Sequence, residues 1–164
     1  MTEVRQGPDP AYIASLIRVR IAAGVLFFDQ ARRVLLVHPT YKDQWEIPGG
    51  SVELDESPLA ACQREVKEEL GIAPPIGAML CVDWVPPAPP WDGGLMVLFD
   101  GGVLASEQIA GIQLRPEELD GYDFIAPDAL DNVLVPRLAR RVKACLRARE
   151  AGTSIYLEDG CRAP

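Results

Sequence analysis

Residues Gly50 to Ile72 read GSVELDESPLAACQREVKEELGI, and the fold can be worked outward from this stretch. Its first half is turn chemistry and its second half is a helix. Ser57 stands where an N-cap oxygen can bond a free amide, Pro58 occupies the first helical position, where a missing N–H costs nothing, and Gly71 closes the far end. The spacing predicts a helix over 58–70. Leu59, Cys62, Val66 and Leu70 recur every three or four residues and mark its core face, so Cys62 reads as a packing residue. Glu65, Glu68 and Glu69 fall at i, i+3 and i+4, within an arc of about 100°. Like charges so placed repel, and toward a helix C-terminus the macrodipole disfavours them further. One reading of the three acids is a solvated face. The other is an oxygen-rich site for a divalent cation, where carboxylates without histidine or cysteine suit Mg2+ or Mn2+ better than zinc.

Ahead of the helix, the run from Arg18 to Phe28, a polar turn over 29–33 and Val34 to Val37 read as a hairpin. Residues 41–50 form a loop ending in Gly49-Gly50, a pair that admits backbone conformations closed to other residues. Beyond the helix, strands are predicted over 76–85, 95–104, 109–114 and 121–126, with a second, basic helix from Pro136 to about Arg149. The segment 86–94, with four prolines, fits neither strand nor helix. Residues 1–17 read as a leader and 150–164 as a tail without an assigned element. Strands alternating with two well-separated helices predict a mixed sheet with helices on both faces, one α/β or α+β domain over 1–164.

Composition narrows the function. The chain has 164 residues, 48% of them hydrophobic, with 16 Lys+Arg against 24 Asp+Glu and a formal charge of −8, the balance of an ordinary globular protein. Such a charge argues against a nucleic-acid polymer as partner and leaves any anionic substrate to be met by local cations. The longest apolar run, Ile21 to Phe28, is eight residues, well short of a bilayer span, so no membrane partner and a cytoplasmic location are expected. Cys62, Cys81, Cys145 and Cys161 are scattered without a C-x-x-C pair and read as reduced thiols.

The stretch quoted at the outset resembles the Nudix hydrolase signature: Gly, five residues, Glu, seven residues, then Arg-Glu-U-x-Glu-Glu-x-Gly-U, with U bulky and aliphatic. Gly50, Glu56, Arg64, Glu65, Val66, Glu68, Glu69, Gly71 and Ile72 meet all nine constrained positions. Trp45 to Gly50 is similar to the family's lead-in and Asp123 to Leu130 to its closing strand, so the resemblance extends over 18–148. It implies a Nudix α/β/α sandwich, with a mixed sheet between helices, that cleaves the diphosphate linkage of a nucleoside diphosphate derivative by water attack at phosphorus, usually with magnesium. Carried over residue by residue, Glu65, Glu68 and Glu69 are implied as metal ligands, a Gly50 or Gly49 carbonyl as a further one, and Glu56 as a more distant, water-mediated one. Arg64 is implied to orient a carboxylate, and Glu68, Glu69, Arg64 and Glu118 form the catalytic set. The general base is left open between a box glutamate and a later loop acid, where Glu118 leads, with Glu117 beside it and Glu107 behind.

The remaining candidates rest on thinner signals. His38, the only histidine, ends an apolar strand and is read as structural before catalytic. Tyr41, Trp84 and Trp91 flank the expected cleft as stacking groups, with hydrophobic gap-filling as the alternative for the tryptophans. Pro87 meets a spacing found in an ADP-ribose branch of the family, but in a proline-rich run that match carries little. Arg137, Arg140, Arg141, Lys143, Arg147 and Arg149 span several faces and read as a solvated surface, leaving Arg18, Arg20 or Lys42 to meet an outer phosphate. A homodimer is left open. Two other readings remain beside the hydrolase: an inactive Nudix-fold nucleotide-binding or regulatory module, and a hydrolase of a non-nucleotide diphosphate.

Overall fold

The apolar run Ile21 to Phe28 becomes the spine of the molecule. In a computed structural model, which describes residues 7–162, β1 (Arg20–Phe28) is covered on both faces, which explains why it is apolar without interruption. Ala23, Val25 and Phe27 point into one core cluster, Leu26 and Phe28 into the other. The elements that follow are β2 (Val34–Pro39), β3 (Gly49–Ser51), α2 (Pro58–Leu70), β4 (Met79–Val85) and β5 (Gly94–Val103), after a short exposed α1 (Pro10–Ser15). Then come α3 (Ser106–Ala110), β6 (Leu119–Ile125), α4 (Pro136–Glu150), β7 (Ile155–Glu158) and β8 (Cys161–Arg162). The strands form one mixed sheet in the order β6-β2-β1-β5-β4-β7-β8, with β3 also on β1. The β1–β5 and β4–β7 pairs are parallel. Helix α2 packs on one face and α4 on the other, the three-layer arrangement predicted above.

One detail of the sheet positions the site. β1 and β2 pair only where the hairpin closes, at Phe28 and Val34. The rest of that edge of β1 is taken by β3, with Ala23 opposite Gly50 and Gly24 opposite Gly49, while Val37 of β2 exchanges hydrogen bonds with Glu46 at 2.9 Å. The loop 41–51 is thereby wedged between two diverging strands, and its glycine turn emerges in the middle of the sheet.

The helix boundaries agree with the sequence: the Ser57 hydroxyl accepts from Ala60 N–H at 3.1 Å, and Gly71 N–H donates to Lys67 O at 3.1 Å. Three expectations need correction. Residues 109–114 are not a strand; α3 covers 106–110, and Gln113 N–H then donates to Leu70 O at 2.9 Å, tying the segment to the end of α2. The three-residue spacing of Ile109 and Ile112 turns both into the core beneath α2, and the Gln108 side chain accepts from Ala105 N–H at 2.8 Å. Leu59 is 39% exposed and lies off the buried stripe, which Ala61, Cys62, Val66, Glu69 and Leu70 form instead. The tail is built in: β7 runs parallel beside β4, with Leu157 fully buried, and β8 folds back on β7. Of the leader, residues 1–6 lie outside the described residues.

Candidate active site

The glycine turn and α2 build the site together. Gly49 has φ +142, and a Cβ there would stand 2.2 Å from the Ala23 carbonyl oxygen, so only glycine lets the turn press against β1. In that position Gly49 N–H donates to Glu69 Oε2 at 2.9 Å. At Gly50 a Cβ would lie 2.3 Å from Glu65 Oε1, so the missing side chain is what makes room for that carboxylate. The result is a cleft of about 400 Å3 walled by Glu46, Glu65, Glu69 and Glu118, together with Tyr41 and Lys42. Burial pushes the Glu69 carboxyl up to about 8; the Gly49 amide opposes the shift, and the charges of Glu65, Glu118 and Glu46 reinforce it. Lys42 is the cation in the cleft lining, and Arg64 and Arg115 reach Glu65 and Glu118 from outside it, which leaves Glu69 as the acid without a cation partner among the described residues. Thr40 N–H donates to the Glu118 carbonyl at 2.9 Å, and Arg115 holds the Glu118 carboxylate at 3.2 Å, which brings this loop acid to the rim.

Arg64 organises the outer side of the cluster. Its Nε and Nη2 donate to the two oxygens of Glu56, each at 3.0 Å, and its Nη1 to Glu65 Oε1 at 2.8 Å and Glu68 Oε2 at 3.2 Å. Nη2 also donates to the Ser51 carbonyl at 3.0 Å, so one guanidinium ties α2 to the loop that precedes it. Glu56 above all raises the Arg64 pKa above its ordinary value, and Arg64 in turn holds the Glu56 carboxyl below the usual range. The donors are all oxygens, the chemistry that fits a hard divalent cation. With Glu65 and Glu68 held on Arg64, no group of three His, Cys, Asp or Glu side chains among the described residues is disposed to hold an ion.

The other predicted residues divide. Lys42 reaches the cleft, with Nζ 2.5 Å from Glu46 Oε1, and Tyr41 lines it beside Lys42. Trp84 and Trp91 are not brought there. Trp91 is 64% exposed under the Arg20 guanidinium at 4.7 Å, and Arg20 also donates to the Asp92 carbonyl, so that cation serves the proline-rich loop. Trp84 packs against Gly93. Arg18, Glu107 and Glu117 are exposed and line no part of the cleft. His38 Nδ1 lies 2.6 Å from Asp120 Oδ1 with its ring 5.1 Å from that of Trp45, which accounts for it structurally; the Asp120 contact raises its pKa. Cys62, Cys81 and Cys145 are buried free thiols, and burial lifts Cys62 to about 12.

The reading of α4 as a solvated basic helix fails at Arg141, which is 6% exposed. Its Nε donates to Asp83 Oδ2 at 2.6 Å, and Asp83, fully buried in β4, also accepts from Gly160 N–H at 3.0 Å. Arg141 borders a second cavity, of about 220 Å3, on the α4 face of the sheet. Glu46, Ile47, Gly49 and Gly50 are common walls of the two cavities. Asp83, Arg141 and the role of Glu46 were missed in the sequence. A signal existed for two of them, since Arg141 falls on the Leu138, Val142, Cys145 stripe and Asp83 interrupts an apolar strand.

Comparison with known proteins places this geometry. The NUDIX domain model matches residues 18–147. Diphosphoinositol polyphosphate phosphohydrolase 2 of Rattus norvegicus is 47% identical over 53 residues, 32% of this chain and 30% of that protein. The RNA pyrophosphohydrolase of Halorhodospira halophila is 39% identical over 57 residues, 35% of this chain and 32% of that protein. The matched segment thus spans about a third of the length of these curated relatives. The MutT protein of Methanosarcina mazei Go1 has a solved structure with the same fold, at TM-score 0.66 and 22% identity, over 84% of this chain and 99% of that one. With a family model spanning most of the chain and every fixed position of the glutamate box in place, this protein belongs to the NUDIX domain family, the Nudix hydrolases.

Proposed function

We propose that this protein is a divalent-metal-dependent pyrophosphohydrolase that cleaves a phosphate anhydride in a nucleoside diphosphate derivative by water attack at phosphorus. The observation that carries the reading is the convergence of carboxylates on one cleft: Glu46, Glu65, Glu69 and Glu118 line it, and burial, with the charges of the other three, raises the Glu69 carboxyl to about 8. A bound Mg2+ or Mn2+ would neutralise charge on the phosphate oxygens and acidify an attacking water. Glu65, Glu68, Glu69 and the Gly50 carbonyl are the residues to hold it. Gly49 N–H orients the Glu69 carboxylate, and Arg64 holds Glu56, Glu65 and Glu68 in place around the box. Glu118, on the rim and half exposed, is the residue to take a proton from water. Lys42 and Tyr41 meet the outer phosphate and the group it carries. Two curated relatives bear names of phosphohydrolase and pyrophosphohydrolase enzymes, which supports anhydride cleavage as the reaction class.

The test is phosphate or nucleoside monophosphate release from a panel of nucleoside diphosphate derivatives at about 5–10 mM Mg2+, beside an EDTA control, in the range of that ion's weak, water-retaining binding. Release that stops with EDTA supports the reading. No release from any member of the panel overturns it.

A further inference from the structure

The Arg141 guanidinium is placed as more than a structural pin. Asp83 is satisfied twice over, by Arg141 Nε and by Gly160 N–H, so the carboxylate needs nothing further from the guanidinium. Arg141 Nη2, however, is buried with no acceptor among the described residues. The side chain forms part of the wall of the cavity on the α4 face, where its neighbours Ala22, Met96, Leu98, Val135 and Leu138 are apolar. That cavity, about 220 Å3, is below the roughly 300–1,000 Å3 that holds a drug-sized ligand. It suits one ring system rather than a whole nucleotide. It shares Glu46, Ile47, Gly49 and Gly50 as walls with the acid cleft, so the two cavities are neighbours across the glycine turn.

We infer that Arg141 is a specificity-determining residue that selects substrates whose base presents a carbonyl edge to the α4-face cavity. A guanidinium is donor-only and stays charged at any working pH, so it rewards an acceptor and rejects an amino group turned toward it. Guanine offers O6 and N7 together, uracil offers carbonyl oxygens, and adenine sets an amino group beside N7. Guanine and uracil nucleoside diphosphate derivatives are thus the favoured class and adenine derivatives the disfavoured one. This selection rests on the hydrolase reading for its diphosphate but not for the cavity itself, which can be tested without turnover.

The experiment titrates the whole protein, free of metal, with GMP, UMP and AMP and follows backbone amide shifts. GMP and UMP are expected to bind about tenfold or more tightly than AMP, the scale of one good guanidinium–base contact, with shifts centred on Met96 and Leu138. The paired change Arg141→Met with Asp83→Asn removes both charges together. In that variant, checked for folding by its amide spectrum, the preference should fall to within about twofold. Ala22→Phe, which fills the cavity and leaves the ion pair and the box untouched, should weaken all three ligands and serves if the paired variant does not fold. Equal binding of GMP and AMP to the native protein, a preference that survives in the folded paired variant, or undiminished binding of all three ligands by Ala22→Phe, overturns the inference. Base-selective binding without anhydride cleavage would support the Arg141 role and sink the hydrolase reading; cleavage indifferent to base would do the reverse.

Discussion

On the α2 face of the sheet, four carboxylates meet around one cleft with Lys42 as the cation among its lining residues, and that cation is already committed to Glu46. On the α4 face, separated from them by the Gly49-Gly50 turn, one carboxylate and one guanidinium are sunk in apolar core and neutralise each other. The α4-face pair is buried, whereas of the four acids on the α2 face only Glu69 is buried, and it alone has no cation partner among the described residues. Unbalanced buried charge is costly, and a fold retains it where a ligand or a reaction makes use of it. Balanced charge does architectural work, here clamping α4 to β4 and, through Gly160, to the β7–β8 turn. On the proposed reading, the acid cleft carries the chemistry and the α4-face cavity the recognition.

Substituting one residue on each face should have opposite effects on stability and activity. Arg141→Ala strands Asp83 as a buried, unpaired carboxylate, and should destabilise the protein by about 3–5 kcal/mol, read as a lowered urea midpoint. A variant as stable as the parent would show that the α4-face pair is not buried as described. Glu69→Gln keeps an oxygen for the Gly49 amide but cannot ionise. It should leave the urea midpoint near that of the parent while activity with Mg2+ falls by about a hundredfold to a thousandfold, the size of losing one preorganised charge contact. Normal turnover in Glu69→Gln would end the assignment of the acid cleft as the active site.

Smaller effects sharpen the picture. Arg64→Lys cannot reproduce the two parallel bonds to Glu56 or hold Glu65 and Glu68 at the same time, so activity should drop by roughly tenfold or more, with a raised Mg2+ requirement. Full activity would reduce Arg64 to a surface ion pair. The smallest effect belongs to His38 and Asp120. Their contact raises the His38 pKa in the folded chain, so its contribution to stability is complete below the unfolded value near 6.5 and is lost as pH rises through the folded one. Urea midpoints of Asp120→Asn and the parent should differ slightly at pH 5.5 and converge by about pH 8.5. A difference that grows with pH would contradict the geometry.

What was legible in the sequence was local. The caps of α2, its length and the i, i+3, i+4 spacing of Glu65, Glu68 and Glu69 depend on neighbours within two helical turns, and rules of that range read them correctly. The box match, again a pattern within 23 residues, led to the right family and fold. The tertiary structure alone decided which acid is buried, since Glu69 owes its burial and its Gly49 partner to a strand 20 residues away that wedges between β1 and β2. It also decided that Trp91 faces solvent, that residues 155–158 complete the sheet beside β4, and that Arg141 finds Asp83 across 58 residues of chain. The physical reason is common to all of these. A helix turn satisfies its own backbone and so is written in consecutive residues, whereas burial and charge pairing are properties of whatever segment folds over a residue, and no short window of sequence contains that partner.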